Sequence, residues 1–176
     1  MIERRSVVAA AVALVGCPLV AGCGFRPVYG RGGAAASTDV RAALAAVRIQ
    51  PLSDRTGMRL GQVLREKLQT AGVRSSFELQ VRLSQQTQEL GVRRDSTTSR
   101  ANLVFAADIA LFENGERVFV DAVQSIVSYN ILDDQYATVA SQADAVDRAL
   151  VQVGEEIRTR LAIYFDRRLR PRTAAR

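Results

Sequence analysis

Reactive side chains are scarce in this chain of 176 residues, which contains no His and only two Cys, Cys17 and Cys23. Without His, the chain can form no Ser-His-Asp triad, no imidazole acid or base and no His-ligated metal site. Two thiols cannot build a four-thiolate metal centre. The adjacent carboxylate pairs at 133–134 and 155–156 are interpreted as surface or capping residues, because adjacent carboxylates rarely converge on one site. We therefore expect a protein that is not an enzyme and that has no metal site and no cofactor.

The first residues have the layout of a secretory signal peptide. Two Arg at positions 4 and 5 precede a run of small apolar residues over 6–14. The alternative is an uncleaved membrane anchor, because residues 6–22 are uncharged and reach the lower length limit of a transmembrane helix. Pro18 and Gly22 argue against that anchor, so we predict export.

The two thiols lie in the cleavage region of this signal. The chain resembles the lipobox of bacterial lipoproteins at Leu19-Val20-Ala21-Gly22-Cys23. In those proteins the Cys is diacylated and becomes the N-terminus. A competing match ends at Cys17, but Pro18 follows it and we expect it to hinder processing. We therefore predict a signal peptide over 1–22 and lipidation at Cys23. Gly24 rather than an acidic residue follows, and by the same resemblance this indicates the outer membrane, with the protein facing the periplasm.

Basic residues outnumber acidic ones, with 24 Lys and Arg against 18 Asp and Glu. All of the basic residues except Lys67 are Arg, an excess that high-GC codon usage explains. No compact RNP, helix-turn-helix or zinc-finger motif accompanies the charge. We therefore predict no nucleic-acid partner.

Beyond the anchor, composition predicts a tether, one domain and a short tail. Residues 23–43 contain a Gly- and Ala-rich stretch without apolar periodicity and are predicted as a flexible tether. Residues 44–169 carry periodic apolar patterns and form the predicted domain. The predicted basic tail is 170–176. We expect flexibility from just after Phe165, because Arg residues crowd there and Pro171 ends any helix.

Within the domain, the spacing of apolar residues predicts the order β-α-β-β-β-α. The first elements are a short strand within Leu44–Leu52, an amphipathic helix over Thr56–Ala71 that stops at Gly72, and an alternating strand over Phe77–Leu83. The last element is an amphipathic helix over Ala137–Leu169, supported by i,i+4 pairs such as Asp144 with Arg148. These elements predict an α+β fold in which two helices pack on a four-stranded mixed β-sheet.

A hairpin is predicted at Asn114-Gly115, because a two-residue type I′ turn needs positive φ at both central residues. In the simplest register Leu111 pairs with Val118 and Ile109 with Val120, on an apolar face that a helix must cover. The other face of the hairpin mixes polar side chains with Phe and Val. Two interpretations of that second face stay open, a weak additional core and a partner surface.

Short motifs along the chain resemble the LPS-assembly lipoprotein family (LptE-type), especially its alphaproteobacterial branch. They are Cys23 to Gly30, Ile49-Gln50-Pro51, Asp54-Arg55, Leu60 to Leu68, Thr98 to Ala101, Ser128-Tyr129-Asn130, Gln135-Tyr136-Ala137 and Arg160 to Tyr164. The resemblance covers essentially the whole mature chain. The fold that it implies, two helices on a four-stranded sheet, agrees with the fold predicted from the periodicities.

The resemblance implies an outer-membrane lipoprotein that plugs and supports the β-barrel translocon of lipopolysaccharide and assists lipopolysaccharide assembly in the outer leaflet. The implied partners are that barrel and lipopolysaccharide, and the role has no catalytic step. Arg93, Arg94 and Arg100, in a predicted loop between strands, are local candidates for contact with anionic lipid, and an ordinary solvated loop is the alternative. Two other classes stay open: another outer-membrane accessory lipoprotein, such as a pilotin or transport auxiliary, and a periplasmic enzyme using Asp, Ser and Arg.

Overall fold

Three helices and four strands make up the residues that the computed structural model describes, which are 34–69, 75–92 and 98–169. In chain order they are α1 (Ala34–Ala45), β1 (Val47–Ile49), α2 (Arg55–Leu68), β2 (Phe77–Val92), β3 (Thr98–Glu113), β4 (Glu116–Asn130) and α3 (Gln135–Leu169). The predicted signal peptide, the predicted lipidation site Cys23 and the predicted tail over 170–176 lie outside the described residues.

The four strands form one mixed sheet in the order β1-β2-β3-β4. β1 is parallel to β2, and β2, β3 and β4 follow one another as antiparallel neighbours. Parallel neighbours need a crossover connection, which α2 supplies between β1 and β2. The structure therefore confirms the predicted α+β fold with a four-stranded mixed sheet.

A third helix, α1, lies in chain that the sequence predicts as part of the tether. α1 spans Ala34–Ala45 and packs against α3, with Val40 and Leu44 only 6% and 4% exposed. These two side chains are four residues apart and therefore lie on one side of the helix. The prediction of a tether through residue 43 is wrong from residue 34 onward, because two large side chains with a partner helix are enough to order an Ala-rich segment.

Capping residues set both ends of α2. Asp54 accepts a hydrogen bond from the backbone N–H of Gly57 at 3.0 Å, which is an N-cap interaction. A Cβ at Gly57 would lie 2.5 Å from Oδ1 of Asp54, so the cap requires Gly there. The helix ends at Leu68, where Gln69 adopts the left-handed conformation with φ 55°. The predicted helix end at Ala71 is therefore wrong.

One face of the sheet is buried beneath the helices. α3 packs on β3 and β4, and α1 and α2 pack on α3. The odd-numbered side chains of β2 and β3 point to this covered face. The core that they form with α3 includes Leu79, Leu103, Phe105, Ile109, Leu111, Leu150, Val153, Ile157 and Leu161, each at most 1% exposed. The predicted apolar stripe of the last helix is confirmed. No helix among the described residues is long and apolar enough to cross a membrane.

The predicted hairpin turn is confirmed. Asn114 and Gly115 have φ values of 52° and 85°, the positive values that a two-residue turn between twisted strands requires. Glu113 pairs with Glu116 across the turn. The local sterics of these two residues are therefore sufficient to place the turn.

The predicted pairing beyond the turn is wrong because of a β-bulge between Leu111 and Phe112. The bulge shifts the register by one residue, so Ile109 is opposite Asp121 and not Val120. A shift of one residue moves every following side chain of a strand to the other face of the sheet. The even-numbered side chains of β4 consequently point away from the helices, whereas the sequence places them in the core.

The last turn of α3 belongs to the folded domain, which corrects the prediction of flexibility directly after Phe165. Nη2 of Arg168 donates to the two carboxylate oxygens of Glu113 at 3.0 and 2.8 Å. The guanidinium carbon of Arg168 lies 5.6 Å from the centre of the Phe77 ring, and that ring meets Phe165 edge-on at 4.9 Å. Contacts from β2 and β3 therefore hold the helix in place as far as Leu169.

Candidate functional site

Of the three candidate lipid-contact residues, Arg100 alone lies in the described part of the chain. Arg93 and Arg94 lie outside the described residues, as does the predicted lipidation site Cys23. Arg100 is exposed, but it belongs to β3 and pairs in register with Leu90 and Asn130, so its placement in a loop is wrong. The structure leaves the other two candidates as predictions.

A different surface, the sheet face opposite the helices, is the most extensive candidate site. This open face consists of the even-numbered side chains of β2 from Glu78 to Leu90, of β3 from Arg100 to Phe112 and of β4 from Val120 to Asn130, together with Arg117, which is opposite Phe112. Side chains alternate along a strand, so each strand contributes to the open face and to the covered face. None of the described helices packs on the open face.

The open face carries an apolar stripe along β3 and β4. Its members are Val104, Ala106, Ala110, Phe112, Val120, Ala122 and Ile126. Val120 and Ile126 are 59% and 57% exposed, whereas Val104 is only 7% exposed between its neighbours. The β-bulge explains these exposed side chains, because without it Val120 and Ile126 would point to the helices. Single exposed apolar residues are ordinary, but this stripe, interrupted only by Asp108 and Gln124, is an apolar surface of the kind that marks an interaction site.

An open depression of about 480 Å³ lies on the open face toward the hairpin turn. Its polar lining includes Gln80, Arg82, Asp108 and Arg117. Its apolar lining comes from members of the apolar stripe, among them Phe112 and Val120. The depression therefore places charged groups beside an apolar surface, which is the composition of a site that binds an amphipathic partner.

The charges in the depression are not balanced. Arg82 is directly opposite Asp108 in the sheet, yet neither it nor Arg117 forms an ion pair among the described residues. Asp121 also contributes to the lining, but its carboxylate accepts hydrogen bonds from Arg160 at 3.1 Å and from the backbone N–H of Ala122 at 2.9 Å. Two guanidinium groups and one carboxylate thus remain available, and guanidinium groups bind carboxylate or phosphate through paired hydrogen bonds.

The predicted carboxylate pairs have structural roles around α3. Asp134 accepts a hydrogen bond from the backbone N–H of Tyr136 at 2.8 Å, next to the start of the helix. Glu155 pairs with Lys67 at 3.2 Å and with Arg158 at 3.0 Å. The hydrogen bond from Lys67 is the main reason that the pKa of Glu155 lies below its ordinary value of 4.5. These contacts agree with the interpretation of the pairs as capping and surface residues.

Cations on α3 also have carboxylate partners, unlike those of the depression. Arg160 donates to Glu156 at 2.9 Å and to Asp121 at 3.1 Å, and the first of these bonds is the main cause that raises the pKa of Arg160. The pKa of Arg168 is raised chiefly by its hydrogen bonds to Glu113. The predicted pair of Arg148 with Asp144 is present as well. Within the described residues, no group of three or more acidic or Cys side chains is arranged to hold a metal ion.

Sequence patterns predict part of the open face but not its centre. The alternation of β2 places Arg82 on the polar side, as observed. The outward position of Val120 and Ile126 does not follow from these patterns, because it depends on the bulge. The signal that was available is the mixture of Phe and Val with polar residues on the second hairpin face, for which a partner surface is one of the two interpretations.

Comparison with solved structures gives the fold a context. No protein-family model matches the chain, and no curated protein matches it. A candidate lipoprotein from Caulobacter crescentus CB15 is similar over 75% of this chain and 98% of its own, with a TM-score of 0.64 and 25% identity. The chain shares a fold with bacterial lipoproteins. Rare lipoprotein B from Shewanella oneidensis (TM-score 0.55, 13% identity, 67% of this chain and 92% of its own) has the same fold. A minor lipoprotein from Acinetobacter baumannii also has this fold (TM-score 0.53, 14% identity, 67% of this chain and 89% of its own). The similarity supports the predicted lipoprotein class.

Proposed function

We propose that the protein is an outer-membrane lipoprotein that plugs and supports the β-barrel lipopolysaccharide translocon. In this role it assists the assembly of lipopolysaccharide in the outer leaflet. The observation that carries the proposal is the match of the folded domain to 98% of the Caulobacter candidate lipoprotein, in a chain that also has a lipobox at residues 19–23. The resemblance of its motifs to the LPS-assembly lipoprotein family supplies the specific role.

The anchor in this proposal is a diacylated Cys23 that holds the domain at the periplasmic side of the outer membrane. Two or more acyl chains give stable anchoring where one chain is marginal. The stretch from Cys23 to the start of α1 at Ala34 can span at most about 40 Å when fully extended. The folded domain therefore stays within reach of a barrel in the same membrane.

Binding rather than catalysis is the proposed activity. The chain has no His to act as a general acid or base near neutral pH. Arg93, Arg94 and Arg100 are the proposed contacts to the anionic groups of lipopolysaccharide, because guanidinium groups pair with phosphate oxygens in two parallel hydrogen bonds. The barrel and the lipopolysaccharide are the two partners that the proposal requires.

Lipidation is tested by comparing two Cys variants expressed as the full chain. Cys23→Ser should abolish acylation and leave the protein unprocessed, because the acyl acceptor is lost. Cys17→Ser is the matched control and should be lipidated like the wild type. Intact mass and labelling with a fatty-acid analogue give the readout. Acylation that survives Cys23→Ser and disappears with Cys17→Ser would move the anchor to the competing site.

The partner is tested by purifying the tagged, lipidated protein from solubilised outer membranes and identifying bound proteins by mass spectrometry. We expect a β-barrel that carries lipopolysaccharide, in a fixed ratio to the lipoprotein. Unlipidated Cys23→Ser should recover much less of it. Recovery of a secretion pore or another transport complex in place of that barrel would assign the protein to the accessory lipoproteins and overturn the proposed role.

A further inference from the structure

We infer that the open face of the sheet is a docking site for an extended polypeptide segment of a partner protein that carries apolar and acidic side chains on the same side. The inference rests on the proposed function in one respect, which is that the segment belongs to a protein of the cell envelope. The observations that carry it are the apolar stripe, the depression beside it and the unequal number of charges in that depression.

The geometry of the apolar stripe matches an extended chain. Val104 and Ile126 are opposite each other in the sheet, and Ala110 and Val120 form a second such pair closer to the hairpin turn. Alternate residues of an extended segment are about 6.6 to 7 Å apart and point to one side, which is the spacing of the side chains along the open face of each strand. A helix would touch a flat sheet face along a narrower line. The surface therefore favours a partner in the extended conformation.

The charges determine the polar chemistry of that segment. Arg82 and Arg117 line the depression together with Asp108, the one carboxylate of the lining that has no hydrogen-bond or ion-pair partner among the described residues. One carboxylate from the partner would bring the site to balance. Because Arg presents a planar fork of donors, an Asp or Glu of the partner can accept two hydrogen bonds from one guanidinium. A segment whose alternate residues are apolar, with an acidic residue among those on the same side, therefore fits the stripe and the depression together.

Two other occupants fit less well. A second copy of the chain brings the same two guanidiniums for one carboxylate, so the imbalance remains. A bilayer surface is flat and cannot fill a depression of about 480 Å³. The observations thus favour a protein segment, and the other two occupants become outcomes of the test.

The test introduces a photo-crosslinking amino acid at Val120 or Ile126 of the full chain in its native cells. Val139 on α3 is the matched control, because it is a Val of 58% exposure against 59% for Val120. Mass spectrometry of the crosslinked peptides identifies the bound segment. We expect Val120 and Ile126 to capture one segment that carries an acidic residue an even number of positions from its apolar ones, and Val139 to give a different product or none. Crosslinks to lipid, to a second copy or to a segment without acidic residues would overturn the inference.

A charge-reversal series then tests the depression itself. Arg82→Glu with Arg117→Glu should reduce the Val120 crosslink about tenfold, the effect of losing a close charge pair at an interface. Arg82→Lys with Arg117→Lys should retain most of it. Reversing the exposed Arg41 and Arg55 changes the net charge equally and should have no effect. Exchange of the captured acidic residues for Lys should restore the crosslink in the Glu variant, and failure of that rescue would contradict direct pairing.

The outcomes separate this inference from the proposed function. In one outcome the lipopolysaccharide barrel co-purifies equally with wild type and with the Arg82 and Arg117 reversal, and it crosslinks to positions outside the open face. The proposed function then holds and the docking site fails. If Val120 captures an acidic and apolar segment of a different envelope protein, the docking site holds and the proposed translocon role fails.

Discussion

The covered and open faces of the sheet are built from the same three long strands, yet they differ in exposure and in charge pairing. Ile109 on the covered face is 1% exposed, whereas Val120 of the neighbouring strand is 59% exposed on the open face. Both are β-branched apolar residues that suit a strand. Apolar residues in a strand therefore produce an apolar face, and the packing of the helices determines which face of the sheet becomes the core.

Charge pairing distinguishes the contacts around α3 from the depression on the open face. Lys67, Arg160 and Arg168 have carboxylate partners at 2.8 to 3.2 Å. Arg82 and Arg117 in the depression have none among the described residues. The depression therefore keeps two guanidinium groups that a partner outside the domain can engage.

The largest expected effect tests the assignment of the two faces. Ile109→Asp should lower the free energy of unfolding by at least about 4 kcal/mol, because it buries an unpaired carboxylate. Val120→Asp, the matched control on the open face, should change it by no more than about 0.5 kcal/mol. Urea denaturation followed by circular dichroism measures both. In the register without the bulge these residues face each other in the core, so a comparable loss at Val120 would contradict the observed pairing.

The next effect concerns the helices that cover the sheet. A Cβ at Gly154 would lie 2.7 Å from Cγ1 of Val63, so Gly154→Ala should force α2 and α3 apart and cost about 1 to 2 kcal/mol net of the better helix propensity of Ala. At Gly61 the nearest atom is 3.6 Å away, and Gly61→Ala should stabilise the protein by up to about 1 kcal/mol. Adding Val63→Ala to Gly154→Ala should recover part of the loss. Thermal unfolding gives the values, and equal effects at the two Gly would argue against a close helix crossing.

A smaller effect is expected where the end of α3 meets the hairpin. Arg168→Ala removes the hydrogen bonds to Glu113 and the contact with the Phe77 ring, and should cost about 1 kcal/mol. Arg167→Ala removes an exposed neighbour of equal charge and should cost less than about 0.5 kcal/mol. Hydrogen exchange at the hairpin should accelerate only in the Arg168 variant. Unchanged exchange there would show that the last turn of α3 does not hold the hairpin.

The smallest effect is the pH dependence of the helix-side ion pairs. The pKa of Glu155 is lowered mainly by the hydrogen bond from Lys67, so its contribution is complete above its ordinary pKa of 4.5 and is lost as pH falls through the lowered value. Glu155 is 46% exposed, so the contribution should stay below about 0.5 kcal/mol. Glu155→Gln should therefore be slightly less stable than wild type at pH 7, and this difference should disappear as pH falls below the lowered pKa of Glu155. Glu66→Gln, a substitution of an exposed residue on α2, is the control. A difference in stability between wild type and Glu155→Gln that grows as pH falls would contradict the predicted sign.

Local patterns were sufficient for the elements and for part of the site. The alternation from Phe77 to Leu83 placed Arg82 on the polar side of β2, and the stripe of α3 gave the helix that covers the sheet. The strand nevertheless continues to Val92, because backbone pairing with β3 holds its polar half where no helix covers it. Sequence patterns report burial, so they do not detect a strand whose side chains are exposed on both faces.

By itself, the sequence determined what depends on a few neighbouring residues: the lipobox match, the turn at Asn114-Gly115, the apolar stripe of α3 and the cap at Asp134. Steric limits on φ and hydrogen bonds within one turn act over that range. The bulge after Leu111 depends on the tertiary structure. The free-energy cost of disrupting the strand pairing there is balanced by packing between β4 and α3 over many residues. That bulge turned Val120 and Ile126 outward and so created the open face. The proposed docking site thus comes from a one-residue shift that neighbouring residues alone could not specify.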